Sequence, residues 1–73
     1  MRRSTNTSVR ALAALNNVSL GEVAEQLGLT ATGFSIGYMA AELQGEMKQR
    51  VVDAIREIVQ DRGEQLQTEI NLN

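Results

Sequence analysis

A chain of 73 residues with 42% hydrophobic and 22% charged side chains bounds one small domain with a thin stability margin. It contains no Cys, His, Pro or Trp, which excludes disulfides, thiolate metal sites and any Cys- or His-based catalysis. The net charge of −2 hides an asymmetry: residues 1–21 carry Arg2, Arg3 and Arg10 without an acid, whereas the nine acids all lie in residues 22–73.

The basic opening, Met1-Arg2-Arg3-Ser4-Thr5-Asn6-Thr7-Ser8, is not followed by an apolar stretch, so no secretory leader is expected and a cytoplasmic setting fits. It reads instead as an arm suited to touching phosphates. A first helix is expected from Thr7 or Ser8 to about Asn16, with Val9, Leu12 and Ala13 inward and the Asn16-Asn17 pair ending it.

The stretch from Ser19 to Met39 is the most informative. Ser19 and Glu22 have the spacing of a capping box, in which each side chain satisfies a backbone N–H of the first turn. Val18 and Val23 flank the cap as a hydrophobic staple. A short helix, Leu20 to Leu27, then carries Ala24 where two helices press together, and Gly28 permits a positive φ at the turn. Thr30 caps the next helix, with Leu29 and Phe34 as its staple. Two capped helices three residues apart form a helix-turn-helix pattern, which an ordinary αα-hairpin of a small helical protein could also share.

Gly33 and Gly37 lie one turn apart on the second of these helices, where they would let another backbone approach closely. No apolar run is long enough to span a membrane, so no membrane partner is expected. The segment supplies no Arg, Lys, Asn or Gln between Thr30 and Glu42, although bidentate readout of guanine or adenine requires those side chains. Thr32 and Ser35 offer single hydrogen bonds, Ala31 and Ile36 only methyl contacts, while Ile36, Tyr38 and Met39 read as exposed apolar positions.

The last helix, about Glu46 to Arg62 after Gly45, places Met47, Val51, Ile55, Ile58 and Val59 on one stripe, broadened by Val52. Gly63 is a natural terminator. Asp53 and Glu57 are one turn apart, the arrangement of a solvated helix face rather than an acid–base pair, so no enzyme, cofactor or metal is expected. Val9, Leu12, Val23, Leu27, Phe34, Val51, Ile55 and Ile58 are the expected core. In the tail, residues 64–73, Leu66, Thr68, Ile70 and Leu72 alternate with polar residues, the period of a half-buried strand. Such a strand needs a partner for its edges, and a second copy would provide one, making Leu66, Ile70 and Leu72 candidate dimerisation residues. A continued helix and an unstructured end are the other readings of the same tail.

Ser19-x-x-Glu22-Val23-Ala24-Glu25-Gln26-Leu27-Gly28-Leu29-Thr30 resembles the core of the lambda-repressor-like DNA-binding domains of Cro and XRE type. The resemblance covers about residues 7 to 60, with the 20-residue core as its specific part. It implies an all-α, four-helix helix-turn-helix domain over residues 1–63, with residues 64–73 as a candidate dimerisation strand. In that family the second helix of the pair enters the major groove. Carried over by position, Ala31, Thr32, Gly33, Ser35 and Ile36 would face the bases, and Arg2, Arg3, Arg10, Thr30, Lys48 and Arg50 would face phosphates. The chain departs from the family pattern in lacking basic or amide side chains there, and in having Gly37 where an Ile or Leu is common. The expected function is a dimeric operator-binding regulator of the phage or mobile-element repressor kind. The alternative is a non-catalytic antirepressor or modulator that binds another regulator protein.

Overall fold

The computed structural model describes residues 5–68, so Arg2, Arg3, Ile70 and Leu72 lie outside the described residues. The elements are α1 (Thr7–Leu15), α2 (Leu20–Gln26), α3 (Ala31–Gly37) and α4 (Gly45–Asp61), with no strand among the described residues. The expected boundaries hold to about one residue. α4 packs against α1 and α2, and α2 packs against α3, so α3 is joined to the long last helix chiefly through α2.

Local chemistry explains where the helices begin and end. Ser19 Oγ accepts from Glu22 N at 3.0 Å and Glu22 Oε1 accepts from Ser19 N at 3.0 Å, completing the capping box of α2. Thr30 Oγ1 accepts from Gly33 N at 2.9 Å and caps α3. Three helices end in the same paired hydrogen-bond motif, with a left-handed residue just past the helix. For α1 this is Asn17 (φ 56°), with Asn17 N donating to Ala14 O and Val18 N to Ala13 O. For α2 it is Gly28 (φ 76°), with Leu29 N donating to Ala24 O. For α4 it is Gly63 (φ 76°), with Glu64 N donating to Val59 O, which rules out continuation of the helix into the tail.

The core consists of Val9, Ala13, Val18, Val23, Ala24, Phe34, Met39, Leu43, Val51, Ala54, Ile55, Ile58 and Val59. Of the expected core, Leu12 and Leu27 are only half-buried against it. Two expectations are corrected. Met47 is 40% exposed, because it sits in the first turn of α4, ahead of the stretch whose residues are buried. Met39 is 5% exposed and Tyr38 half-buried, so neither belongs to an exposed apolar patch. The chain turns inward after α3, and Tyr38 stacks on Phe34 with ring centroids 5.5 Å apart.

Two buried asparagines join distant segments. Asn6, 1% exposed, ties the start of α1 to the loop between α3 and α4. Its Nδ2 donates to Ala41 O (3.0 Å) and its Oδ1 accepts from Leu43 N (2.6 Å), while its own N donates to Glu42 Oε1 (3.0 Å). Asn16 holds the tail: Gln67 N donates to its Oδ1 at 2.7 Å and its Nδ2 donates to Gln67 O at 2.8 Å. Leu66 packs on the core of its own chain, so this member of the expected dimerisation set is engaged within the domain.

Candidate nucleic-acid interface

α3 is a short helix held from one side. Phe34 is its one buried residue among those described, and the cap at Thr30 fixes the first turn. Ala31, Thr32, Gly33, Ser35 and Ile36 are all exposed, and Ile36 is the most exposed of the large apolar side chains at 71%. The expected reading residues are therefore brought together on the outside of α3. A Cβ at Gly37 would meet nothing within 4 Å, and one at Gly33 would meet Thr30 Oγ1 at 3.1 Å. Gly33 therefore leaves room for the Thr30 cap, and among the described residues no other segment of the chain comes close to either glycine.

The expected phosphate contacts are dispersed. Arg10 lines a groove with Leu20, Gly21, Ala31 and Ser35, where α1, α2 and α3 meet. Its Nε donates to Thr5 O at 2.7 Å, which sets the guanidinium beside α3. Thr30 has its hydroxyl oxygen engaged by Gly33 N, leaving its O–H to donate. Lys48 lies on a different surface with Ser8, Leu12, Val52 and Thr68. Arg50 stands 4.0 Å from Glu46 and lines a third surface with Gln26, Leu27 and Glu57. Arg10 thus shares a groove with α3, whereas Lys48 and Arg50 line grooves formed by other elements. Thr5 Oγ1 donates to Met39 O at 3.0 Å, so the chain enters the fold beside the C-terminal end of α3.

On the side of α2 that faces α4, the balance is acidic. Glu22, Glu25, Gln26, Asp61 and Arg62 surround an open groove of about 300 Å³. Arg62 Nη2 donates to Glu22 Oε2 at 2.8 Å, and Arg62 Nη1 donates to Asn16 O at 3.2 Å. The Ser19 backbone N–H, and after it the Arg62 guanidinium, hold the Glu22 carboxyl below its ordinary value, against the opposing effect of desolvation. Asp53 accepts from Gln49 Nε2 (2.8 Å) and lies 3.5 Å from Arg56; Glu57 accepts from Gln26 Nε2 (2.9 Å). Both carboxylates thus belong to exposed surface networks.

Among the described residues no three His, Cys, Asp or Glu side chains are grouped to hold a metal ion, and no helix is long and apolar enough to cross a membrane. The long-range roles of Asn6 and Asn16 escaped the sequence reading, which saw Asn16 only as a helix terminator, because the partners concerned lie 33 to 51 residues away and an Asn carries no local sign of such a role. Comparison with protein-family models, curated proteins and solved structures returned no match.

Proposed function

We propose that the chain is a helix-turn-helix regulator that binds operator DNA with the outer face of α3, in keeping with the repressor-like resemblance of residues 19–30. The observation that carries this reading is the division of α3 into two sides. Phe34 is committed to the core, with Tyr38 stacked on it, while Ala31, Thr32, Gly33, Ser35 and Ile36 remain uncommitted. Small side chains on that face allow close approach to a groove floor. Thr32 and Ser35 supply single hydrogen bonds, and Ala31 and Ile36 suit thymine methyl groups. With no bidentate reader available, specificity comes largely from DNA shape and half-site spacing.

An acidic domain with a pI of about 4.9 gains little from one set of phosphate contacts, so two copies acting together are part of the proposal. Arg10 contributes beside α3, and Arg2 and Arg3 add charge at the arm. Anisotropy with a labelled duplex tests the reading: Ile36→Glu places an acid on an exposed position and abolishes binding without unfolding the domain. Binding by that variant equal to the parent protein contradicts it.

One observation favours a second reading. An Ile exposed at 71% on an acidic domain suits a protein surface better than a phosphate backbone. Under this reading the same face of α3 docks on another regulator, and the chain acts as an antirepressor or modulator.

A further inference from the structure

We propose that residues 63–67 form a strap that steadies the first turn of α2: Asn16 latches the strap, and Arg62 links that latch to the capping box of Ser19 and Glu22. The coupling does not depend on what α3 binds.

The strap begins where α4 ends. Gly63 takes a left-handed conformation (φ 76°) and Glu64 N donates to Val59 O, which turns the chain off the helix. Leu66 then packs on the core, and Gln67 meets the end of α1. An Asn side chain carries an acceptor and a donor in one plane, so it can exchange both backbone bonds with a single residue, as a neighbouring strand does. Asn16 does this with Gln67 at 2.7 and 2.8 Å, and it is only 6% exposed. Departure of the strap takes the Gln67 N–H away from this buried side chain.

The link to α2 runs through one guanidinium. Arg62 Nη1 donates to the backbone carbonyl of Asn16 at 3.2 Å, and Arg62 Nη2 donates to Glu22 Oε2 at 2.8 Å. The guanidinium is planar and rigid, so the spacing of these two contacts is fixed. The other oxygen of Glu22 accepts from Ser19 N inside the capping box. The strap also reaches the guanidinium directly, with Glu64 Oε1 3.8 Å from Arg62 Nη1.

Gln67, Asn16, Arg62, Glu22 and Ser19 thus form one connected line from the strap to the start of α2. With the latch open, the end of α1 and the strap carboxylate no longer fix Arg62, and the first turn of α2 frays more readily. α3 joins α4 chiefly through α2, so the strap bears on the seating of α3 as well.

Amide exchange measured by NMR on the full chain tests the coupling. Gln67→Pro deletes the N–H that Asn16 holds, whereas Gln67→Ala keeps the backbone bonds. In the Pro variant the Glu22 N–H, capped by Ser19, is expected to exchange about fivefold faster than in the parent, while the Gly33 N–H, capped by Thr30, stays within about twofold. The Ala variant leaves both unchanged. Coupling is reciprocal, so Glu22→Gln speeds exchange of the Gln67 N–H at least about threefold. That variant keeps the capping box, because Gln also serves at this position. Equal acceleration of the two capped amides in Gln67→Pro would mean general loosening and overturns the proposal. So does a Gln67 amide that exchanges at the parent rate in Glu22→Gln. A Glu22 response to Gln67→Pro that persists undiminished once Arg62→Met has removed the link overturns it too.

Discussion

The side-chain oxygen of Asn6 accepts a hydrogen bond from the backbone N–H of Leu43 at 2.6 Å, across 37 residues of chain. This contact fastens the entry to α1 onto the loop that carries α3 into α4. Because Asn6 is buried, removing its side chain strands Leu43 N and Ala41 O. Asn6→Ala is predicted to cost about 2 kcal/mol from the stranded groups alone. Asn6 also sits at φ 56°, a conformation that costs Ala roughly 1 kcal/mol more. Asn6→Gly separates the two effects, since it keeps the backbone at ease and loses only the bonds. Denaturant titrations of the three proteins should rank parent, Gly, then Ala; equal stability of parent and Ala contradicts the role assigned to Asn6.

Ala24 lies at 1% exposure in the core, and its carbonyl accepts from Leu29 N in the turn toward α3. Ala24→Glu buries an unpaired carboxylate at a cost of several kcal/mol, more than so small a domain can absorb. Circular dichroism should show an unfolded chain at room temperature. A normal melting curve would refute the packing of α2.

Substitutions at the glycine of the α2–α3 turn and at the glycine ending α3 are predicted to differ in sign. Gly28 holds φ 76° at the turn, so Gly28→Ala destabilises by about 1 kcal/mol. Gly37 has ordinary backbone geometry and open space around a built Cβ, so Gly37→Ala stabilises by about 0.5 kcal/mol. Thermal melts of the two variants decide the matter. If Gly37→Ala also weakens duplex binding while raising the melting temperature, the missing Cβ serves close approach to DNA rather than folding.

Acid sensitivity follows from Glu22, whose carboxyl is held low by Ser19 N–H and Arg62. A group with a depressed folded-state pKa stabilises above its unfolded value, and that contribution is lost as pH falls through the folded value. The stability difference between the parent and Glu22→Gln should therefore be constant at neutral pH. It should shrink once the pH drops through and below the usual carboxylate range. A difference that stays constant through that range contradicts the ionic character of the link.

Much of the fold was legible in the sequence where its cause is local. The Ser19–Glu22 box, the Thr30 cap, Gly28, Gly63 and the α4 stripe from Val51 onward rest on spacings of about five residues or fewer, and each appears where the pattern places it. What was not legible is long-range. Nothing near Asn6 or Asn16 announces partners in residues 39–43 or at Gln67. Met47 continues the periodicity of α4, yet periodicity does not reveal where the neighbouring helices stop covering it. Met39 read as exposed because the inward turn of the chain after α3 has no helical period to mark it. For the candidate interface, position along α3 was enough to gather the exposed face. It could not foresee that Lys48 and Arg50 stand in separate grooves away from it.

Binding to a generic duplex over a salt series tests most directly the proposed role of α3 in facing DNA. Measurable binding is expected at low salt, with log affinity falling linearly against log salt at a slope of about −0.9 per phosphate contact. Arg10→Ala should reduce that slope by about 1. A folded protein that shows no binding even at the lowest salt would contradict the claim and make another regulator protein the partner of α3.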